Sequence, residues 1–161
     1  MVPDTIPSSL TSDKLSLIRI WYRVPPKYEL ELPGPTGRAS TPPPGCFYLY
    51  QEAFHTGLRL SLPPFVIALF YFLNISLVFV MPNSFRFLIG SLCRLTEVRP
   101  TFSLFRNFYT FKHHPSAKDW WYFSLQFGKK GLLKGAPSSI HNWKRKYLFV
   151  HCPTLELGLP A

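Results

Sequence analysis

The sequence predicts an α+β fold, with short apolar helices packed on an aromatic antiparallel hairpin or small sheet. Three observations lead there. Phe85, Leu88, Ile89, Leu92 and Cys93 recur at helical spacing, whereas residues 120–127 alternate with period two. The 15 Phe, 8 Tyr and 4 Trp supply enough apolar surface for a core, which excludes a wholly disordered chain. The 17 prolines among 161 residues exclude a long helical rod or coiled coil.

In chain order, residues 1–13 read as a disordered polar lead. Its two prolines and two aspartates precede any apolar run, so it is neither a secretory signal nor a good transit peptide. A single domain is expected over 14–152, with a frayed tail at 153–161. Leu15–Tyr22 and Tyr28–Leu32 read as short strands, followed by a Pro/Gly-rich loop at 33–45. CFYLYQEAFHTG reads as a helix stopped by Gly57.

Phe65–Met81 is a run of 17 residues without a charge, apolar on every side. Such a segment is buried either in protein or in lipid. The first version places a helix from Pro64 to Leu73, a break at Asn74 and an extended piece to Met81. The alternative is a small single-pass membrane protein with a span near 65–81. As a helix the run would reach about 26 Å, a little short of the ~30 Å hydrocarbon core. Twelve Leu, Ile, Val or Phe side chains favour insertion, and Asn74 and Ser76 oppose it.

Asn83 or Ser84 can cap the next helix, whose apolar stripe is the one named above. Thr101 can cap a shorter one, with Phe102, Phe105, Phe108 and Tyr109 inward. WWYFSLQF then reads as a half-buried strand and GKKGLLKGAPSS as a basic loop. Trp143–His151 reads as the strand that pairs with WWYFSLQF.

The charge is unevenly spread. Residues 1–57 hold five basic and five acidic side chains, and residues 58–161 hold thirteen basic and three acidic, so the second part carries the whole net charge of +10. That asymmetry suits a polyanionic partner, nucleic acid or an anionic membrane face. Lys129, Lys130, Lys134, Lys144, Arg145 and Lys146 cluster in the sequence, and an exposed Trp143 among them could stack on a base. These seven residues form the candidate nucleic-acid site, with Trp143 in the core as the competing reading.

Catalysis is not expected. An acidic-triad transposase needs three carboxylates for two metals, and after residue 57 only Glu97, Asp119 and Glu156 occur, the last in the expected tail. GKKGLLKG lacks the order of a phosphate loop. His113 and His114 are neighbours, and with His141, His151 and Cys152 they lack ligand spacing, so neither a metal nor a cofactor is expected. No small-molecule substrate is indicated. Cys46, Cys93 and Cys152 are odd in number and widely separated, which points to a reducing compartment, nucleus or cytoplasm, with a membrane as the alternative.

From about Tyr22 onward the order of motifs resembles a plant family related to gypsy-type retrotransposons, the gypsy-type transposase or plant transposon protein domain. The matching pieces are YQEAFHTGLRLSLPPF, MPNSFRFLIGSL, WWYFSLQF and PSSIHNWKRKYLFV. Leu77, Val78, Phe79 and Val80 depart from it, standing where the family tends to place a polar or proline-bearing turn. Relatives are usually much longer, so this chain looks like a fragment or degenerate copy of a mobile-element reading frame. The resemblance implies a mobile-element origin; together with the charge asymmetry it leads to the expectation of a non-catalytic structural or binding role, with self-assembly as a further class. It carries no catalytic residue across.

Overall fold

The computed structural model describes residues 6–94, 98–117, 119–128, 133 and 140–152. The first helix, α1, is Ser12–Trp21. The strand expected over Leu15–Tyr22 is therefore corrected to a helix. Local chemistry explains it: the Thr11 hydroxyl accepts the N–H of Lys14, and Asp13 and Arg19 complement the helix dipole at its two ends. Ile18 is buried, with Leu15 and Tyr22 half-buried on the same face. The lead is also corrected in part. The N–H of Ser9 donates to the Arg145 carbonyl at 2.7 Å and the Ser8 hydroxyl to that of Tyr147 at 2.6 Å, so residues 8–9 are tied to distant chain. Residues 1–5 and the tail from 153 lie outside the described residues.

Strand β1 is Glu29–Glu31 and β2 is Cys46–Tyr50. A short helix α2, Gln51–His55, follows β2 directly. The single helix expected over CFYLYQEAFHTG is thus half strand. Its first five residues pair with β5, Tyr147–His151, from Cys46↔His151 to Tyr50↔Tyr147. Gly57, at φ 112°, stops the helical half as expected.

The uncharged run is broken. Helix α3 spans Pro64–Leu73 and ends on Asn74 in the left-handed region, at φ 53°. A 3₁₀ turn, Leu77–Phe79, and an extended Val80 complete the run. The N–H of Met81 donates to the Trp121 carbonyl at 2.9 Å, and helix α4, Pro82–Arg94, starts immediately. Among the described residues, no helix is long and apolar enough to cross a membrane. A continuous span at 65–81 is corrected to this broken path, because Asn74 turns the chain and Pro82 starts a new helix.

Helix α4 buries Phe85 and Leu88, whereas Ile89 and Leu92 are half-buried and Cys93 is exposed. Helix α5, Phe102–Arg106, is capped by the Thr101 hydroxyl, which accepts the N–H of Leu104 at 3.1 Å. It leads into β3, Tyr109–His113, which pairs antiparallel with β4, Trp121–Leu125. The expected partner of β4 was Trp143–His151, and that pairing is corrected. Strand β5 lies in a separate three-stranded antiparallel sheet, ordered β1-β5-β2.

Packing on both faces of the sheet buries all four β5 residues from Tyr147 to Val150. On one face Leu148 and Val150, with Leu49 of β2, join the main core of Phe54, Val66, Phe70, Phe85 and Leu88. On the other, Tyr147 and Phe149, with Tyr48 and Tyr50, meet Trp120 and Trp143 in a second, aromatic cluster. A strand covered on both faces reads as a continuous apolar run rather than an alternating one. The fold is α+β, with short helices on two small antiparallel sheets.

Candidate nucleic-acid interface

The basic residues next to β5 rest on the aromatic cluster. Asn142, at φ 59°, turns the chain into a 3₁₀ turn, Trp143–Arg145. Trp143 is only 6% exposed and meets Tyr50 and Trp120 edge-on, with ring centroids 4.6 and 4.9 Å apart. The reading of Trp143 as an exposed stacking ring is therefore corrected. Its indole anchors the turn in the core and cannot offer a face to a base. The Lys144 ammonium lies 5.6 Å from the Trp143 ring and 6.0 Å from that of Trp120, within cation–π range.

Arg145 and Lys146 are exposed. Their backbone is held while their side chains reach outward: the Arg145 carbonyl accepts Ser9, and the Lys146 carbonyl accepts the N–H of Gln51 at 2.8 Å. Thus Lys144 and Arg145 stand on a hydrogen-bonded turn and Lys146 directly after it. Lys129, Lys130 and Lys134 lie outside the described residues. Beneath the turn, burial drives the Tyr48 and Tyr50 phenols well above the usual tyrosine value, and for Tyr50 the neighbouring Tyr48 and Tyr147 add to the effect. These rings are neutral packing, available to hold the turn in place.

A second constellation joins residues that sequence spacing does not connect. Cys46 and His151 face each other across β2 and β5, with the thiol sulfur 3.1 Å from Nδ1 and 3.2 Å from Nε2. His151 Nε2 is also 2.6 Å from Glu31 Oε2 on β1. A Cys–His–carboxylate set suggests nucleophilic catalysis, but two features oppose it. The lone-pair directions of the two ring nitrogens diverge, so a sulfur equally near both lies off both axes. Burial first, then the carboxylates of Glu31 and Glu29, push the Cys46 thiol up, away from its reactive thiolate. The only legible signal for this grouping was the pairing register, which spacing alone does not supply.

The remaining histidines are dispersed. His113 packs edge-on against Trp121, His114 lies near Tyr122, and His141 is exposed. Among the described residues, no group of three or more His, Cys, Asp or Glu is arranged to hold a metal ion.

The chain matches no protein-family model and no solved structure. Over 125 residues it is 32% identical to an uncharacterized chloroplastic protein of Arabidopsis thaliana. That match covers 75% of this chain and 16% of the relative.

Proposed function

We propose that the chain is a non-catalytic binding or structural protein of gypsy-type retroelement origin that holds nucleic acid through its phosphates, without reading sequence. The observation that carries this reading is the consecutive Lys144, Arg145 and Lys146, of which Arg145 and Lys146 are exposed, within a region that holds thirteen basic and three acidic side chains. Lysine and arginine on a fixed turn supply phosphate contacts, and the burial of Trp143 removes the ring that would have contacted bases. Lys129, Lys130 and Lys134 precede that turn in the sequence and add to its basic composition. The four motifs in family-like order support the retroelement origin.

Catalysis has no support in the acidic residues, since the three after residue 57 are widely separated in sequence, or in the Cys46 thiol, whose thiolate is disfavoured by burial and by Glu31 and Glu29. A nuclear or cytoplasmic site suits a nucleic-acid partner. The relative is chloroplastic by name, so a fluorescent fusion that collected in plastids would replace that placement.

Filter binding to duplex DNA of mixed sequence across a salt series tests the function. Affinity should fall linearly on a log–log plot, with a slope of about 0.9 per phosphate contacted. Replacing Lys144, Arg145 and Lys146 together by Gln should reduce that slope by about three. Absence of binding at low salt, or binding indifferent to salt, overturns the reading.

A further inference from the structure

Helix α3 has two opposed apolar faces, and only one of them is covered. Val66, Leu69 and Phe70 point into the main core. Pro64, Ala68, Tyr71 and Phe72 recur at i, i+4, i+7 and i+8 on the other side and are exposed, Tyr71 at 70% and Phe72 at 58%. A solvated helix face is normally polar, and this one carries no charge and a single phenol. It continues onto α5, where the Phe102 ring stands 5.0 Å from that of Phe72. Arg106 borders the cleft between them, together with Gln126. The residue after Gln126, Phe127, is fully exposed.

Charge selects the occupant of this face, because the chain carries a net +10. Exposed Arg106 borders the cleft beside the face, and α3 itself carries no charged side chain. Arg94, Arg99 and Arg106 are exposed. A second copy of the chain would bring like charges together around the same face. An anionic lipid surface complements it, with aromatic side chains at the headgroup–acyl boundary and arginines among the lipid phosphates.

We propose that the outward face of α3, led by Tyr71 and Phe72 and flanked by Arg106, docks on the surface of an anionic bilayer. Only the outer face of α3 then lies in the interface, while Leu77 and Val80 of the same uncharged run stay in the core. This site is separate from the Lys144–Lys146 turn and goes beyond the nucleic-acid reading.

Co-sedimentation with phosphatidylserine–phosphatidylcholine vesicles, against phosphatidylcholine alone, tests it. The chain should pellet with the mixed vesicles and much less with the neutral ones. Replacing Tyr71→Ser and Phe72→Ser together should weaken binding by at least about ten-fold, given the apolar area withdrawn from the lipid. Arg106→Gln should weaken it about five-fold, the loss of roughly one interfacial cation. Both aromatic side chains are already exposed, so unchanged circular dichroism will show that the fold survives. The proposal is overturned if the chain ignores anionic vesicles, or if the folded Tyr71/Phe72 variant binds them as well as the parent. It is equally overturned if light scattering shows a dimer that the same variant abolishes, since a second copy then covers the face.

Discussion

The hydroxyl of Ser84 accepts the backbone N–H of Phe123 at 3.0 Å, which joins the first turn of α4 to the middle of β4. Both residues are buried, Ser84 at 2% exposed. Ser84→Ala would leave that amide without a partner in a dry site. It should cost about 1–3 kcal/mol, read as a lower urea midpoint at unchanged slope. A variant as stable as the parent would show that the bond contributes nothing.

Asn74 ends α3 in the left-handed region and redirects the uncharged run. Asn74→Gly should be nearly neutral, because glycine adopts that conformation freely. Asn74→Val should destabilise by about 1–2 kcal/mol, since a β-branched side chain clashes there. Chemical denaturation of the two variants checks the ordering.

Trp143 and its three basic successors should separate structure from binding. Trp143→Ala removes a ring packed on Tyr50 and Trp120 and should cost about 3–5 kcal/mol of stability. Replacing Lys144, Arg145 and Lys146 by Gln should shift stability much less while weakening DNA binding, because Arg145 and Lys146 are exposed. Thermal melts paired with filter binding distinguish the two effects.

Alkylation should leave Cys46 behind. Burial, Glu31 and Glu29 all favour its thiol form, and Cys93 is exposed. Iodoacetamide at neutral pH should label Cys93 first, with peptide mass mapping as the readout. Glu31→Gln should speed labelling of Cys46. If Cys46 reacts first, the second constellation is an activated thiol after all.

Stability should decline in alkali. Burial raises the Tyr48 and Tyr50 phenols in the fold, so the unfolded chain ionises first. Their contribution is fully present below the ordinary tyrosine value, about 10, and is lost progressively as pH rises above it. Urea midpoints measured on both sides of that value check the sign. Tyr50→Phe should flatten the decline.

Much of the local structure was legible because the forces that set it are local. Thr101 caps α5, Gly57 stops α2, and the stripe from Phe85 to Leu88 turns inward as its spacing implies. At Leu15–Tyr22, the Thr11 cap, only four residues before that run, outweighed the weak strand preference of two isoleucines. The candidate site was less legible. Lys144, Arg145 and Lys146 stand together because they are consecutive, but the burial of Trp143 depends on Tyr50 and Trp120, which are remote in sequence.

The sequence by itself determined the start of α3 at Pro64, the stop of α2 at Gly57, the cap of α5 at Thr101 and which part carries the positive charge. Those properties depend on residues a few positions apart. Only the tertiary structure decided that β5 pairs with β1 and β2 instead of β4, and that Cys46, His151 and Glu31 meet. Strand partners are selected by the packing of both faces of a sheet at once. Tyr147 and Phe149 pack on the tryptophan cluster while Leu148 and Val150 pack on the main core, as Tyr48 and Tyr50 do against Leu49 on the neighbouring β2.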